Sequence, residues 1–197
     1  VAFSKFAVCP IVMINVLDPK KHKESKEGEE YNIIDKTVTI GKEGVLLDSL
    51  VIKDTTESIT YELGIDYEVS FNSDFYAIIH IFPDGAANNE IAVKVSYDLL
   101  DPSLVDSDDI VGGYDNIEKK YKGLECVSQV YSKLGVIPGQ IIAPGFSQRP
   151  VVAAVMRAKT EKISGLFRAT AVVDIDSSTT GADSYDKVYE WKTQNSY

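Results

Sequence analysis

Two aspartates at the end of an apolar run are the residues whose type and spacing best suit chemistry. Asp174 and Asp176 lie in AVVDIDSSTTGAD, where the run Phe167–Ile175 gives way to a polar loop. The carboxyl end of a parallel strand is where open α/β sheets bind their ligands. One carboxylate could act there as a nucleophile and the other as a general acid and base, with Mg²⁺ held by both. A magnesium-dependent phosphatase is therefore one function that this sequence could support.

The spacing of this pair resembles that of haloacid-dehalogenase-type phosphatases, but the match is incomplete. That motif needs Thr or Val two residues after the second aspartate, where this chain has Ser178, and its later Lys and acidic residues would fall beyond Tyr197. Asp176, Ser178 and Thr180 also have the spacing of a metal-ion-dependent adhesion site. A simpler interpretation is favoured, in which Asp and Ser turn the chain out of a strand and cap the next helix. No catalytic, cofactor-binding or metal-binding residue is therefore assigned.

The other motifs with polar side chains are also incomplete. APGFSQRP, residues 143–150, precedes a predicted helix but has one Gly and no Lys, so it does not form a P-loop. Ser147 within it is predicted to be the N-cap of that helix. His22 is predicted at the surface of a charged segment and His80 inside a strand, so neither is expected to serve Ser147 as a catalytic base.

The cysteines and the acidic cluster do not have the spacing of metal ligands. Cys9 and Cys126 are not part of a CxxC pair, and the sequence predicts two buried thiols in a reducing compartment rather than a zinc site. Asp106, Asp108 and Asp109 lack the Gly and the terminal Glu of an EF-hand loop. A solvated acidic loop is predicted there instead.

The composition sets limits on the class of protein. The chain has 197 residues, of which 44% are hydrophobic and 25% charged, which is the balance of an ordinary globular protein. Its formal net charge of -10 leaves no excess of Lys and Arg for phosphates, so no direct contact with nucleic acid is expected. No apolar run approaches the roughly 20 residues that span a bilayer, so no membrane insertion is expected either.

The elements that position the aspartates are predicted by the hydrophobic pattern of residues 123–176. Two helical patterns alternate with two β-rich apolar runs, which predicts a βαβ unit with a parallel sheet. The predicted elements are a helix with Leu124, Val127, Tyr131 and Leu134 on one face and Gly135 as its C-cap, a strand over 140–143, a helix carrying Val151, Val152, Val155, Met156 and Ile163 and ending at Gly165, the strand Phe167–Ile175, and a final helix over 184–193.

A different pattern occupies residues 38–97. Short runs alternate apolar and polar residues with period two, and turns rich in Gly, Pro, Asn and Asp separate them. This pattern predicts antiparallel hairpins that close into a small sandwich or barrel.

The domain boundaries follow from these changes of pattern. KKHKESKEGEE, residues 20–30, has mixed charge and no apolar side chain, so an exposed and mobile linker is predicted. The run Ala7–Leu17 is rich in β-branched residues and predicts a strand buried on both faces. The predicted fold class is α/β, with an α/β core domain over 1–18 and 112–197, an inserted antiparallel β-sandwich or barrel domain over 31–100, and linkers over 19–30 and 101–111.

Several separated phrases resemble the contractile tail sheath proteins of bacteriophages. The longest is residues 123–176, which resembles the family's central αβαβ block. PIVMINVLDP, GIDYEVSF and VSYDLLDPSLV resemble the strand before the family's β-insert, a tyrosine-containing strand within it and the exit from it. Within the central block, the residues that carry the resemblance to this family are Pro138, Pro144, Gly145, Val152, Ala153, Phe167 and Asp174. The chain begins VAFSKF without Met, so an internal fragment of such a protein is expected.

This resemblance implies a structural and mechanical role, without catalysis and without a cofactor. Sheath subunits of phages, prophage-encoded particles and R-type pyocins stack as hexameric rings around a tail tube, and contraction drives the tube through the bacterial envelope. The implied partners are copies of the chain, the tail tube protein, and baseplate or tail terminator proteins. The implied location is the phage tail in the virion, and the bacterial cytoplasm during assembly. A carbohydrate-binding or adhesion module built on the β-domain is a third possibility.

Overall fold

Helices and strands both occur in the computed structural model, which describes residues 10–196 and has the mixed content of the α/β class. Contacts divide the chain into two units. One is residues 17–104, called the β unit here. The other, called the mixed unit, combines the residues before 17 with those from 105 onward. Each unit has a hydrophobic cluster of its own.

Two antiparallel sheets form the β unit. One has the strand order β1-β7-β3-β4 and the other the order β2-β6-β5. The strands are β1 (Lys23–Asn32), β2 (Thr37–Ile40), β3 (Val45–Lys53), β4 (Thr60–Tyr61), β5 (Tyr67–Phe71), β6 (Ala77–Ile81) and β7 (Ala92–Leu100).

One hydrophobic cluster takes side chains from both of these sheets. Val38 and Ile40 come from β2, Ile52 from β3, and Val93 and Val95 from β7, and all five are at most 1% exposed. Each contributes about 1.5–3 kcal/mol by leaving water. In β2, β6 and β7 every second residue enters the cluster, so these strands use the period-two pattern of the sequence.

The charged segment KKHKESKEGEE is a strand and not a mobile linker, so that prediction is wrong. Its residues form most of β1, which pairs antiparallel with β7 from Lys23 opposite Leu100 to Asn32 opposite Ala92. Strand pairing uses the backbone, and the side chains of this edge strand reach water or ion pairs such as that between Lys23 and Asp98. Charged side chains are therefore compatible with an edge strand, where they also discourage pairing with other chains.

His22 is completely buried at the entry to β1, so the predicted surface position is also wrong. Its Nδ1 accepts a hydrogen bond from the backbone N–H of Asp18 at 2.9 Å. Its carbonyl oxygen accepts another from the backbone N–H of Asp101 at 2.9 Å. His22 thereby joins the two segments that lead into and out of the β unit.

The mixed unit contains short strands and helices. These are α1 (Ser107–Val111), β8 (Gly113–Asp115), β9 (Lys120–Lys122), a 3₁₀ helix (Gly123–Gln129), α2 (Val130–Leu134), β10 (Gln140–Ile142), α3 (Pro150–Glu161), β11 (Thr170–Val172), a second 3₁₀ helix (Tyr185–Lys187) and α4 (Val188–Gln194). Strands β8 and β9 form an antiparallel hairpin. Strands β10 and β11 are parallel and joined through α3, which confirms the predicted βαβ order.

The core of the mixed unit lies between α3 and its neighbours. Val152 and Met156 of α3 are completely buried, and Ile163 just after the helix is 2% exposed. They pack with Leu124 and Val127 of the 3₁₀ helix in one cluster. The predicted apolar face of α3 is therefore largely correct.

Several predicted elements of the mixed unit are shorter or different. The strand Phe167–Ile175 is reduced to Thr170–Val172. The helix predicted from Leu124 is 3₁₀ in its first part, and it ends as predicted at Gly135, which has φ 66°. Three to seven residues are enough for these elements because packing on α3 selects them, and local propensity alone does not.

The segment predicted as a solvated acidic loop begins the helix α1. Asp106 is its N-cap and accepts hydrogen bonds from the N–H groups of Asp108 and Asp109, while the Asp109 carboxylate accepts one from the N–H of Asp106. This reciprocal arrangement is a capping box with Asp in the place of Glu. The acidic cluster therefore satisfies a helix N-terminus.

The N-terminal run Ala7–Leu17 does not form the predicted strand where the structure describes it. Residues 7–9, including Cys9, lie outside the described range. From residue 10 to Leu17 the chain does not form a strand. Ile14 and Val16 pack against the cluster of the mixed unit, whereas Met13 is 89% exposed. From residue 10 to Leu17 the run is therefore not a strand buried on both faces.

Candidate functional site

The predicted strand-end site holds Asp174 in a set of hydrogen bonds. The Ser147 hydroxyl donates to Asp174 Oδ2 at 2.9 Å, and its oxygen accepts from the Asp174 N–H at 2.8 Å. The Gly145 N–H donates to the same carboxylate oxygen at 3.1 Å. Ser147 is completely buried. The carboxylate thus ties the turn after β10 to the end of β11.

These contacts give Asp174 and Ser147 structural roles. Oδ2 of Asp174 already accepts two hydrogen bonds, and the buried hydroxyl of Ser147 is occupied by the same aspartate. Ser147 is not the N-cap of α3, because Arg149 takes that position and Pro150 is the first helical residue. Proline suits this position since its fixed φ matches the helix and it has no N–H to satisfy.

Asp176 closes the loop that follows β11. Its Oδ1 accepts a hydrogen bond from the Ser178 N–H at 2.9 Å, and its carbonyl oxygen accepts one from the Ala182 N–H. The hydrogen bond from the Ser178 backbone lowers the pKa of the Asp176 carboxyl. The hydroxyls of Ser178 and Thr180 lie 3.0 Å apart and bond to each other. The loop therefore matches the turn interpretation of these residues.

Neither motif brings together the ligands of a metal ion. Within residues 10–196, no three side chains of His, Cys, Asp or Glu are grouped so that they could hold one. Asp174 and Asp176 contact different parts of the chain, the first the turn before α3 and the second its own loop. Cys126 is half-buried, its Sγ contacts the Tyr121 carbonyl at 3.1 Å, and burial raises the pKa of the thiol. A raised pKa disfavours the reactive thiolate at neutral pH.

A polar network in the β unit was not indicated by the sequence. Glu29 Oε2 accepts hydrogen bonds from the hydroxyls of Tyr31 at 2.7 Å and Tyr97 at 2.6 Å. The two hydroxyls lie 2.8 Å apart. Lys42 Nζ donates to both oxygens of Glu29, at 2.8 and 2.9 Å. The network ties β1 to β7 and to the connection that follows β2.

The network shifts the titration of all four groups. The hydrogen bond from Lys42, followed by those from Tyr97 and Tyr31, lowers the pKa of Glu29 to about 2. Burial, with the hydrogen bond to Glu29, raises the pKa of Tyr97 to about 12, and burial also raises the pKa of Tyr31. The bond to Glu29 raises the pKa of Lys42. Both tyrosines therefore stay protonated as donors at neutral pH, which suits an internal tie and not a catalytic base.

We expect Glu29→Gln to destabilise the β unit at pH 7. The folded pKa of about 2 lies below the ordinary 4.5, so ionised Glu29 stabilises the fold fully above pH 4.5 and loses this effect as the pH falls toward 2. Glu29 and Lys42 are 33% and 39% exposed, and after screening by water we expect about 1–2 kcal/mol. Urea denaturation followed by circular dichroism measures it at pH 7 and pH 3.

The control for this experiment is Glu27→Gln, because Glu27 is an exposed residue of the same strand. The gap in unfolding free energy between wild type and Glu29→Gln should narrow at pH 3, while Glu27→Gln should follow wild type at both values. A gap of equal size at pH 7 and pH 3 would contradict the role given to the charge of Glu29.

An open groove of about 910 Å³ lies between α3, β11 and α4. Its lining includes Ala153, Ala154 and Ala158 of α3, Ala171 of β11 and Trp191 of α4. Small apolar side chains dominate this surface. Charged residues also line the groove, namely Arg157, Glu161, Asp174 and Lys192. Of these, Asp174 accepts hydrogen bonds from Ser147 and Gly145.

Two comparisons with known proteins gave no match: no family model and no solved structure matches the chain. Within the described residues, none of the helices is both long enough and apolar enough to span a lipid bilayer.

The chain is similar to a tail sheath protein of Burkholderia phage BcepMu. The two are 27% identical over 172 residues, and the aligned region covers 86% of this chain. It covers 34% of that relative, so the chain spans about a third of the length of the curated protein that it matches. The resemblance to phage tail sheath proteins, first seen in the sequence motifs, is confirmed by this similarity.

Proposed function

We propose that this chain is part of a structural subunit of a contractile tail sheath, in a phage or a prophage-encoded particle. The subunit polymerises around the tail tube and contracts to drive the tube through the bacterial envelope. The similarity to a tail sheath protein over 86% of the chain carries this proposal. Because the aligned part is 34% of that relative, the assembly and the contraction of the whole protein are also proposed.

The contacts of the polar side chains support a structural role. Asp174 joins two segments of the mixed unit, and Glu29 joins three segments of the β unit. Asp176 closes a loop. A subunit that transmits force needs such internal ties so that each unit moves as a rigid body. The same contacts give no support to a magnesium-dependent phosphatase that uses Asp174 and Asp176.

The proposed architecture is an α/β core domain with an inserted β-sandwich. The two sheets of the β unit share one cluster, which supports a sandwich. We propose that the insert is residues 17–104, a wider range than the 31–100 predicted from the sequence, because β1 and the end of β7 belong to its first sheet. The core domain is then formed by the residues on both sides.

The proposed partners are those of a sheath subunit. They are copies of the chain in stacked hexameric rings, the tail tube protein, and baseplate or tail terminator proteins. The proposed location is the tail of the virion, after assembly in the bacterial cytoplasm. No catalytic step is proposed.

The test is electron microscopy of the full-length gene product. We expect negative staining to show tubes or rings of regular diameter, because sheath subunits assemble through repeated contacts between copies. The matched variants are Gly113→Ala, which should still assemble, and Gly112→Ala, which should not, since a Cβ at Gly112 would meet the Lys122 backbone. A folded full-length protein that stays monomeric at high concentration, alone and with its tube protein, would refute the proposal.

A further inference from the structure

The charges of the chain are divided unequally between its two units. Residues 17–104 contain 18 Asp and Glu and 8 Lys and Arg, a net charge of -10, and the remaining residues contain 12 of each, a net charge of zero. Within the mixed unit, residues 119–168 contain 9 Lys and Arg and 2 Asp and Glu, a net charge of +7. Two copies of the β unit therefore repel each other, whereas an acidic β unit attracts this basic segment of another copy.

The β unit has an exposed apolar surface at one end, called the apolar end here. It consists of Ile34, Leu63, Ile65 and Ile91, which are between 64% and 83% exposed. Large aliphatic side chains that are grouped and exposed to this extent mark a surface for contact with another protein.

Hydrogen bonds hold the loops of the apolar end together. The Ile33 N–H donates to the Ile91 carbonyl at 2.9 Å, and the Lys36 ammonium donates to the Asn88 carbonyl. On the other side, the Ala86 N–H donates to the carboxylate of Asp66 at 2.8 Å, which joins the loop of Leu63 and Ile65 to the same region. The four aliphatic side chains therefore lie on loops that form one connected end.

Acidic residues surround the apolar end. Asp35, Glu62 and Asp84 are exposed and Glu90 is half-buried. No ion pair joins any of these four to a basic residue within residues 10–196, and Lys36 is the basic residue among these loops. The surface therefore has an apolar centre and an acidic rim, which fits a partner with an apolar centre and a basic rim.

The mixed unit has such a surface, called the α2 patch here. It consists of Tyr131 and Leu134 of α2 and Leu166 of the turn after α3, which are 42%, 59% and 79% exposed. The rings of Tyr131 and Phe167 lie 5.0 Å apart, so the helix and the turn are in contact. The exposed apolar side chains of the patch therefore lie on two neighbouring segments.

Basic residues surround the α2 patch. Lys133, Lys162 and Arg168 are exposed, and none of them has an ion pair within the described part of the chain. The Glu161 carboxylate is the neighbouring acidic group in sequence, and Glu125 is already paired with Lys159. The rim of this patch is therefore positive, opposite in sign to the rim of the apolar end.

We propose that the apolar end of one copy docks on the α2 patch of a second copy. This inference rests on the proposed function, in which copies of the chain assemble, and it names the surfaces that meet. The two surfaces differ, so the contact is head-to-tail and leaves one free surface of each kind on every pair. A contact of this type continues from copy to copy, as a helical or ring assembly requires.

The test exchanges the charges of the two rims. Variant one carries Glu62→Lys and Glu90→Lys, and variant two carries Lys133→Glu and Lys162→Glu. Sedimentation velocity of the 197-residue chain at about 50 mM salt, where screening is weak, measures self-association. Each variant alone should associate about tenfold more weakly than wild type, because its two surfaces then have rims of the same sign.

Mixing the two variants should restore association. The basic apolar end of variant one then faces the acidic α2 patch of variant two, and the two unchanged surfaces also match. Contact within one chain cannot produce this recovery. The control for variant one carries Glu27→Lys and Asp48→Lys, which raise the net charge by the same amount at exposed positions away from the apolar end, and it should associate like wild type.

Three results would overturn the inference: a wild-type chain with no salt-sensitive association, variants that associate like wild type, or a mixture that does not recover. These results are distinct from failure of the proposed function. Tubes formed by full-length protein that carries either variant would reject these contact surfaces and leave the sheath function intact. Absence of tubes from full-length wild-type protein would reject the sheath function itself.

Discussion

Replacing Gly112 with Ala should unfold the mixed unit, while the same change at the adjacent Gly113 should be tolerated. Gly112 ends α1 with φ 67° and ψ -152°, a conformation essentially restricted to glycine. A Cβ there would lie 1.9 Å from the Lys122 carbonyl oxygen and 2.7 Å from the Gly123 Cα. These atoms are backbone and cannot move aside. A Cβ at Gly113 would meet nothing within 4 Å.

The expected loss for Gly112→Ala exceeds about 4 kcal/mol of unfolding free energy, because backbone strain and a backbone clash add together. For Gly113→Ala we expect a change within about 1 kcal/mol. Trp191 is the single tryptophan of the chain and lies in the mixed unit, so its fluorescence during urea denaturation reports on this unit. Equal midpoints of urea denaturation for the two variants would show that Gly112 does not lie this close to the backbone of Lys122 and Gly123.

Gly123→Ala provides a second test of this close approach between Gly112 and Gly123. A Cβ at Gly123, which has φ 58°, would lie 2.6 Å from the carbonyl oxygens of Asp109 and Ile110. The two glycines face each other, so either substitution should remove the same packing. A double variant should therefore be little less stable than the worse single variant.

Ser147→Ala should cause a smaller loss of stability than the two substitutions at Gly112 and Gly123. It removes the hydroxyl that donates to the Asp174 carboxylate and accepts from the Asp174 N–H, at a position with no exposure to water. Asp174 is itself exposed, so water can replace part of what is lost, and removing these two hydrogen bonds should lower the unfolding free energy by about 1–3 kcal/mol. Denaturation followed by Trp191 fluorescence measures the loss.

The matched control is Ser132→Ala, since Ser132 is exposed and its hydroxyl donates to the carbonyl of Gln129, three residues earlier in the sequence. That variant should stay within about 0.5 kcal/mol of wild type. Ser147→Thr keeps the hydroxyl and should recover less than the full loss, because a methyl group must enter a packed site. If Ser147→Ala were as stable as the control, the tie between the β10 turn and β11 would contribute nothing.

Much of the fold could be predicted because it depends on local patterns. Ala77, Ile79 and Ile81 alternate with half-buried residues in β6, and period two is sufficient to predict which face they occupy. Val152 and Met156 have helical spacing, and both are buried in α3. The order of elements around α3 predicted a parallel pair of strands, and the pairing of β10 with β11 confirms it.

The predictions that failed concern segments whose structure depends on distant partners. The charged residues of β1 give no local signal for a strand, and their partners in β7 lie 60 to 77 residues later in the sequence. The reverse holds for Ala7–Leu17: its β-branched residues favour a strand, but from residue 10 onward no strand pairs with it in the described range. Pairing with another strand therefore outweighs local propensity. It does so where a strand forms without a local signal, as in β1, and where a local signal produces no strand, as in residues 10–17.

The amino-acid sequence by itself placed Asp174 at the carboxyl end of a parallel strand, because strand and helix periods are local. It also determined the net charge of -10 and the phrases that resemble those of tail sheath proteins. Only the tertiary structure decided that Asp174 accepts from Ser147, 27 positions away, and that Glu29 joins Tyr31, Tyr97 and Lys42. Such contacts form between side chains that packing brings together. The spacing of these residues in the sequence does not indicate how close they lie in the folded chain.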